Sequence, residues 1–490
     1  MERHIGLWSK ESDDSPAVAE LIIEGNHIEF YRRDHGEIFP CAFVGSDNNH
    51  IYYKVFTNGT YAYGKHRTLE NAVSYKPIYV LCQNFKYEKG LKIEGITACS
   101  FIIPELMDWI GGRTVEWGAT KNQELIAVEL KLQEIILKKE KPRIEIYFEA
   151  SSSLFDESVD NRTTSIIKNQ PRIRISYEEP SNVSRVHNDI KGIMQFFGLM
   201  IGHVSDAIDI RLDIQGQSLK SWLYVNEDFS YNLKTMSVLD RTRTKLSKVQ
   251  ENIQFYFENW YNFYNDNKFE LIRRMYFLAN TKKDIYVEDL LILYVRILEG
   301  YHLRITDEEN ITSNIEKDIK EMIFTDLGRK LFTPIFEKVQ WKFNSKHAKK
   351  VASWIASGFL ERVDLAERIK QLDEQYFSII AKNAENIIKL ENKNNTFSDE
   401  YDKQEIILKF YRSIVSTRNY YSHYKARKEN VLNFNQICDT INVLKALIIM
   451  IMFSHMGMTK EQIRKIIIWD SELHFQTKCL RYEGETPDDK

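Results

Sequence analysis

Proline and glycine are distributed unevenly along this chain of 490 residues. Seven of the nine prolines lie at or before Pro180, and 15 of the 20 glycines lie at or before Gly216. Both residue types punctuate short strands and turns, and both are disfavoured inside long helices. The chain is also longer than one compact core usually holds. We therefore predict an α+β protein, with an antiparallel β-rich domain over residues 1–235 and an all-helical domain over 236–490.

The first domain contains short runs of aromatic and β-branched residues that are typical of strands. The stretch AELIIEGNHIEFY reads as strand, turn and strand, and Asn58-Gly59 in HIYYKVFTNGTYAYGKH predicts a hairpin with a type I′ turn. Further strands are predicted in KPIYVLCQ, LKIEGITACSFIIP, PRIEIYFEA and PRIRISYEE. The exception is VSRVHNDIKGIMQFFGLMIGH at 183–203, which has helical spacing.

The second domain has helical apolar spacing throughout. The clearest helices are EDLLILYVRILEGYH at 288–302, HAKKVASWIASGFLERV at 347–363 and KQEIILKFYRSIV at 403–415. A single apolar stripe is predicted on a further helix, formed by Phe434, Ile437, Ile441, Leu444, Ile448 and Ile451. The most apolar stretch, ALIIMIMF at 446–453, is too short to span a bilayer and predicts a buried helix.

Composition excludes several classes of protein. The net charge is −3, so any contact with nucleic acid must come from a local basic patch. Five scattered cysteines without a CxxC pair are typical of reduced thiols in a cytosol, and the charged N-terminus lacks the apolar run of a signal peptide. Phosphate-loop, dinucleotide-binding, serine-hydrolase and zinc-protease motifs are absent from the sequence. We expect a cytoplasmic protein with no membrane segment, no bound metal and no cofactor.

The segment TRNYYSHYKARK at 417–428 carries the most chemistry. The stretch from Lys403 to Asn430 has seven Lys and Arg against two Glu, a local charge of +5. On a helix Asn419 and His423 share a face, whereas Arg418 and His423 lie about 140° apart. Three arrangements would bring the last pair together: a break in the helix, a curled Arg418 side chain, or a second copy of the motif in a dimer. The alternative is a solvated helix end whose Arg and His satisfy carbonyls and the helix dipole.

RNYYSH resembles the R-[N/H/D]-x3-H signature of HEPN ribonuclease domains, which are small helical bundles that generally work as dimers with two motifs facing each other. The order of a β-rich region and then a helical region resembles ApeA-type anti-phage defence proteins. LLILYVRILEGYH resembles the first helix of that bundle, with Glu299 and His302 as its polar marks. The helical resemblance covers about 290–460, and the chain between this helix and the motif is longer than a minimal four-helix bundle needs.

The resemblance implies a metal-independent endoribonuclease with Arg418, Asn419 and His423 as catalytic residues. A histidine changes charge near neutral pH and suits proton transfer, and an arginine offers a forked donor to phosphate oxygens. Asn419 would orient His423 or hydrogen-bond the phosphate, and Glu299 would pair with the arginine or the histidine in support. RNA contacts are expected from residues that stack on bases or hold phosphates: Tyr420, Tyr424, Lys425, Arg427 and Lys428.

Two functions remain open from the sequence. The first is an anti-phage effector of the abortive-infection type, a homodimer that cleaves RNA when a phage-derived trigger acts on the N-terminal domain. The second is a non-catalytic HEPN-like adaptor that binds RNA or protein through the same basic patch. The tyrosines around Asn58-Gly59 are candidates for binding a phage protein, a nucleic acid or the helical domain, although tyrosine is also simply a good strand former.

Overall fold

A computed structural model describes residues 2–482 apart from internal gaps. The gaps are residues 11–12, 25–26, 33–41, 48–50, 65–71, 85–93, 112–114, 120–124, 130–133, 158–161, 205, 217–220, 226–242, 282–284, 307, 360–362, 389–399, 424–429 and 471. The chain forms two compact units, Met1–Tyr261 and Asn262–Lys490. The predicted boundary between residues 235 and 236 falls in the gap at 226–242 and lies outside the described residues.

The first unit is built mainly from antiparallel strands, and the predicted fold class is confirmed. The strands are β1 (Glu2–Lys10), β2 (Asp13–Glu24), β3 (His27–Arg32), β4 (Ala42–Asp47), β5 (Ile51–Gly64), β6 (Ala72–Asn84), β7 (Glu94–Ile102), β8 (Val115–Ala119), β9 (Leu125–Glu129), β10 (Ile135–Lys138), β11 (Arg143–Glu157), β12 (Arg162–Asn182), β13 (Ile208–Ile214) and β14 (Ser221–Val225). Twelve of them form one sheet in the order β10-β11-β12-β7-β13-β14-β6-β3-β2-β1-β4-β5, and β8 pairs with β9.

Half of the large sheet closes on itself. Strand β5 pairs with both β4 and β6, which joins the two ends of the run β6-β3-β2-β1-β4-β5 into a ring of six strands. Closure removes exposed strand edges. Alternate side chains of these strands share one core, in which the indole of Trp8 packs edge-on against Phe30 at 5.0 Å. The strand–turn–strand prediction for AELIIEGNHIEFY is confirmed by β2 and β3.

The predicted hairpin at Asn58-Gly59 is wrong. Both residues lie inside β5, which pairs with β6 on either side of them: Thr57 pairs with Pro77 and Tyr61 with Tyr75. Three residues of β5 therefore stand against one of β6, which is a bulge in a continuing strand. A glycine accommodates such an irregular backbone as readily as a turn, so the local signal does not separate the two. The side chains of Tyr52, Tyr53, Tyr61 and Tyr63 lie outside the described residues.

A helical layer covers the other half of the sheet. It consists of α1 (Leu106–Ile110), α2 (Val183–Ile201), α3 (Leu246–Val249) and the first part of α4 (Ile253–Asn265). The predicted helix at 183–203 is α2, which begins where the Asn182 side chain accepts the Arg185 N–H at 2.9 Å. Asp189 on α2 is buried and accepts the hydroxyls of Tyr177 and Tyr261 at 2.9 and 2.8 Å. Burial raises the pKa of this carboxyl.

The second unit is helical. After the end of α4 it contains α5 (Glu270–Thr281), α6 (Val287–Thr306), α7 (Glu308–Phe324), α8 (Asp326–Lys338), α9 (Ser345–Phe359), α10 (Leu365–Gln375), α11 (Ile379–Ile388), α12 (Glu400–His423), α13 (Phe434–His455), α14 (Lys460–Ile467) and α15 (His474–Thr477). The predicted helices at 288–302 and 403–415 are α6 and the middle of α12. The helix predicted at 347–363 is α9, and it ends earlier, because Val363 is not helical.

Helix α13 is the core of the second unit. It contacts α6, α11 and α14, and every residue from Val443 to Phe453 is buried. The prediction of a single apolar stripe is therefore incomplete, because the second half of the helix is covered on all sides and Phe434 is 60% exposed. By length and composition α13 could cross a membrane, but 78% of its most apolar window is buried within the chain, as in the core helix of a globular unit.

One buried carboxylate fixes α12 to its neighbours. Asp373 near the end of α10 accepts the backbone N–H groups of Ile380 and Ala381 at the start of α11, at 2.8 and 3.0 Å, and the Tyr411 hydroxyl of α12 at 2.6 Å. The loop between α10 and α11 makes this possible by holding Phe377 and Ser378 at positive φ, 68° and 52°. Asp373 therefore joins three helices around the element that carries the Arg418 motif.

Helices α7, α8 and α9 form a sub-bundle between α6 and α10. Its own core contains Ile319, Ile323, Phe336, Ala348 and Ala352. The turn between α7 and α8 is tight: a Cβ on Gly328 would lie 2.1 Å from the Met322 carbonyl oxygen, so only glycine fits there. These helices account for the extra length between the Glu299 helix and the Arg418 motif.

Candidate active site at the end of helix α12

The Arg418 guanidinium is held by two side chains. Its Nη1 donates to Asn419 Oδ1 at 2.9 Å, and its Nη2 donates to Glu299 Oε2 at 3.3 Å. Helix α12 continues as far as His423, so the helix does not break between Arg418 and His423. The arginine side chain instead turns towards Asn419, which shares a helix face with His423. Of the three arrangements considered from the sequence, the break in the helix is excluded, and among the described residues no hydrogen bond joins Arg418 to His423 within one chain.

Glu299 reaches the arginine from α6. The two side chains are partly shielded, with 19% of Arg418 and 33% of Glu299 exposed. An ion pair in such a position contributes little to stability. Its effect is to fix the direction of a long, otherwise mobile side chain while leaving it accessible from solvent. The predicted pairing of Glu299 is thus with Arg418.

The contact to Arg418 determines which way the Asn419 amide faces. Arginine has only donors, so the atom at 2.9 Å must be the amide oxygen. The Nδ2 group is left as the part of this amide that can donate to a phosphate oxygen. Asn419 thus contacts Arg418, a partner that the sequence analysis did not assign to it, and among the described residues no hydrogen bond joins it to His423.

His423 is the last residue of α12 and is exposed. Among the described residues no hydrogen bond joins His423 to Arg418 or Asn419. The imidazole is therefore accessible to a ligand, or to a second copy of the chain.

Thr417, immediately before the motif, holds the end of the site in place. Its buried hydroxyl donates to the Ser413 carbonyl at 2.7 Å and accepts the Leu432 N–H at 2.9 Å. The second bond holds Leu432 against α12. Leu432 immediately precedes the capping box of Asn433 and Gln436 that starts α13. The sequence did not single out Thr417, since a threonine inside a helix gives no sign of a partner 15 residues away.

Two polar atoms beside the motif are buried. Arg418 Nε and Ser422 Oγ are both shielded from solvent, and neither forms a hydrogen bond with a described residue. Buried donors without a partner are uncommon in folded proteins and tend to occur at functional sites.

His302 does not belong to this group. It is 2% exposed, and its Nε2 lies 2.8 Å from Gln371 Oε1 of α10. The contact joins α6 to α10 inside the unit. Two polar residues mark the resemblance of α6 to the first HEPN helix. Of these, Glu299 contacts the motif and His302 does not.

The predicted RNA-binding residues are only partly described. Tyr420 is half-buried and its ring meets that of Tyr421 edge-on, with centroids 4.8 Å apart. Tyr424, Lys425, Arg427 and Lys428 lie outside the described residues. Within the described part of the chain, no group of three or more His, Cys, Asp or Glu side chains has the arrangement of a metal site.

Comparison with known families covers most of the chain. The model of ApeA N-terminal domain 1 matches residues 3–260, and the model of the Apea-like HEPN domain matches residues 292–462. The chain belongs to the ApeA family. The Apea-like HEPN match contains Glu299, Arg418, Asn419 and His423. It also spans the sub-bundle of α7, α8 and α9.

Membership of the ApeA family indicates an anti-phage defence protein with a C-terminal HEPN domain. HEPN domains are typically nucleases. No curated protein and no solved structure matches the chain.

Proposed function

We propose that this ApeA-family protein is a metal-independent endoribonuclease that acts in the cytoplasm as an anti-phage effector. One observation carries the proposal: the Arg418 guanidinium is held by Glu299 and Asn419 on the same helix as an exposed His423, at a HEPN motif. Cleavage by an RNA 2′-hydroxyl needs proton transfer and positive charge at the phosphate, and these side chains supply both.

Arg418 stabilises the negative charge that develops on the phosphate. A guanidinium stays protonated and binds phosphate oxygens with a forked pair of donors. Its interactions with Glu299 and Asn419 fix its direction before the substrate arrives. A donor oriented in advance favours the transition state, because little reorganisation is needed when charge develops.

His423 transfers the protons. As a base, the neutral imidazole takes the proton from the 2′-hydroxyl, whose oxygen attacks the adjacent phosphorus. The bond from phosphorus to the 5′-oxygen then breaks, and a protonated imidazole gives its proton to that oxygen. The products are a 2′,3′-cyclic phosphate and a 5′-hydroxyl. No metal is needed for this balance of protons.

A second copy of the chain would complete the site. One reaction uses both a base and an acid, and a single chain supplies one His423 at the motif. Two motifs facing each other across a two-fold axis would place two imidazoles at one phosphate. We therefore propose that the active form is a homodimer.

RNA binding and activation extend the proposal beyond the motif. Tyr420 and Tyr424 would stack on unpaired bases, and the phosphates would be held by Lys425, Arg427 and Lys428. The N-terminal unit would restrain the helical unit until a phage-derived trigger binds it. This order protects the host cell from its own nuclease.

A non-catalytic adaptor is the second candidate. Both terminal nitrogens of Arg418 already have partners, as expected of an arginine with a purely structural role. Under this alternative, Lys425→Glu would weaken RNA binding, and His423→Ala would leave protection against phage intact. Loss of protection in a His423→Ala protein that binds RNA normally would exclude the adaptor.

The test is RNA cleavage by the purified protein in EDTA, before and after exposure to extract from phage-infected cells. We expect the wild type to cut RNA to products ending in a 2′,3′-cyclic phosphate, and His423→Ala to leave the RNA intact. Cleavage that persists in His423→Ala, or that stops in EDTA and returns with Mg²⁺, would contradict the proposed mechanism.

A further inference from the structure

The sub-bundle of α7, α8 and α9 carries a strongly basic segment. Residues 338–360 contain five lysines and no Asp or Glu, although the whole chain has a net charge of −3. Four of the lysines lie between Trp341 and Trp354. A local excess of this size attracts polyanions. The segment lies well before the Arg418 motif, and its charge is not used in the proposed reaction.

The basic residues form an ordered surface on α9. Lys346, Lys350 and Trp354 follow one another at intervals of four residues, so they share one face of the helix. All three are exposed, and Trp354 is 63% exposed. The opposite face of α9 is the buried one, with Ala348, Ala352 and other small apolar residues in the sub-bundle core.

Trp341 supports this surface from beneath. Its ring stacks on His347 with centroids 4.9 Å apart, and it lies 5.8 Å from the Trp354 ring. The Lys350 ammonium lies 4.9 Å from the centre of the Trp341 ring, which is a cation–π distance. His347 is itself fixed, since its N–H bonds Asn344 Oδ1 at 2.9 Å and its ring Nδ1 lies 2.7 Å from the Lys342 carbonyl oxygen. The surface is therefore preformed.

We propose that this face of α9, formed by Lys346, Lys350 and Trp354 over Trp341, binds single-stranded RNA. Lysines beside exposed aromatic rings are the combination that holds unpaired nucleic acid, because the lysines pair with phosphates and the rings stack on bases. In a duplex the base faces are stacked on one another, so none of them is open to stack on the Trp354 ring. The identity of the nucleic acid as RNA rests on the proposed function. The charge and the stacking surface are observed independently of that function. The sub-bundle would thus hold the substrate strand at a distance from the cleavage motif.

The experiment is fluorescence anisotropy with a labelled single-stranded RNA of mixed sequence, about 20 nucleotides long, across a range of salt concentrations. The protein is the full chain carrying His423→Ala, so that RNA is bound without being cut. We expect Lys346→Glu with Lys350→Glu to weaken binding about 10- to 100-fold near 100 mM salt and to reduce the salt dependence of log Kd by about 1.4. Trp354→Ala should weaken binding about 5- to 100-fold at every salt concentration.

Two matched controls separate this surface from net charge and from exposure alone. Lys349→Glu reverses one lysine charge, half of the change in the double variant, on the same helix about 100° round from Lys350. Phe475→Ala removes another exposed aromatic ring, 75% exposed, from α15. Both should change affinity less than about 3-fold. Unchanged thermal unfolding would show that each variant is folded.

Several results would overturn the proposal. One is that the parent protein does not bind the RNA. Another is that the α9 variants bind as tightly as the parent, or lose no more affinity than Lys349→Glu. Variants that lose dimerisation, or binding to anionic phospholipid vesicles, while keeping RNA affinity would assign the surface to another partner. Loss of RNA binding in the α9 variants, with a wild type that never cuts RNA, would support this proposal and contradict the proposed nuclease.

Discussion

At the scale of single residues, the proposed function rests on how Arg418 is held. A guanidinium can serve Glu299, Asn419 and a phosphate at once because it has several donors in a planar fork. A lysine at this position would keep the charge but would offer a single point of contact on a flexible stem. The distinction makes the charge and the geometry of residue 418 separable by experiment.

Arg418→Lys should lower the RNA cleavage rate at least about 100-fold, which is the typical cost of removing one oriented donor from a charged transition state. Arg412→Lys, at an exposed arginine six residues earlier on α12, should leave the rate unchanged. The comparison requires single-turnover cleavage of one RNA by both proteins. Full activity of Arg418→Lys would show that charge alone suffices and that the contacts to Glu299 and Asn419 are incidental.

At the scale of the elements, two buried interactions hold the motif helix in place. Thr417 joins the end of α12 to the residues before α13, and Asp373 joins α10, α11 and α12. Neither residue is among the proposed catalytic or RNA-binding residues. Both are buried, so each variant that removes one leaves a polar group without a partner.

Thr417→Val should lower the free energy of unfolding by about 1–3 kcal/mol, because it leaves the buried Leu432 N–H without an acceptor. Thr417→Ser keeps the hydroxyl and is the matched control, with an expected loss under about 1 kcal/mol. Urea unfolding of both proteins measures the difference. Equal stability of Thr417→Val and the wild type would mean that water or another group replaces the hydroxyl.

Burial raises the pKa of Asp373 to about 6, although the Tyr411 hydroxyl and the N–H groups at the start of α11 act to lower it. Its folded-state pKa lies above the ordinary value, so its contribution to stability is complete at low pH and is lost as the pH rises through about 6. Tyr411→Phe removes a donor to the charged form. We expect a loss of about 1–3 kcal/mol at pH 8 and a smaller loss at pH 5.

Tyr286→Phe is the control for this change, because Tyr286 is 78% exposed. Chemical unfolding of both variants at the two pH values tests the prediction. An equal loss for Tyr411→Phe at pH 5 and at pH 8 would contradict the prediction, because it would show that Asp373 is already ionised at the lower pH.

Element type was predictable from the sequence where the signal is periodic. The spacing of α2, α6 and α12 and the alternation of β2 and β3 were sufficient to predict these elements. Asn58-Gly59 was misread because a bulge and a turn favour the same residues, and only the pairing partner of Tyr61 distinguishes them. For α13, the stripe pattern predicted one buried face, and burial on the remaining sides depends on helices distant in the sequence.

The residues of the candidate site also fall into those that a local sequence pattern identifies and those that only the structure identifies. Arg418, Asn419 and His423 are adjacent in sequence and form a recognisable pattern. Glu299 was identified through a resemblance, and its pairing with Arg418 spans 119 residues. Thr417 carried no signal of its own, and His302 was placed among the polar marks of the bundle although it is buried against Gln371. Long-range partners are set by packing, which local patterns do not encode.

At the scale of the whole molecule, the proposal requires two chains. If each site uses two copies of His423, a dimer with one His423→Ala chain is inactive. Wild type and His423→Ala, produced together in equal amounts, should then show about one quarter of wild-type activity, since about one quarter of randomly paired dimers contain two intact chains. Activity near one half would show that each chain works alone, and light scattering would establish that dimers form.

The measurement that tests the central claim most directly is RNA integrity in phage-challenged cells that produce the wild type, Arg418→Ala or His423→Ala at equal levels. We predict fragmented RNA with 2′,3′-cyclic phosphate ends and blocked phage growth only with the wild type, and intact RNA with unrestricted phage growth in both variants. Equal RNA integrity and equal protection in all three would contradict the account, and would place the defence activity away from the Arg418 motif.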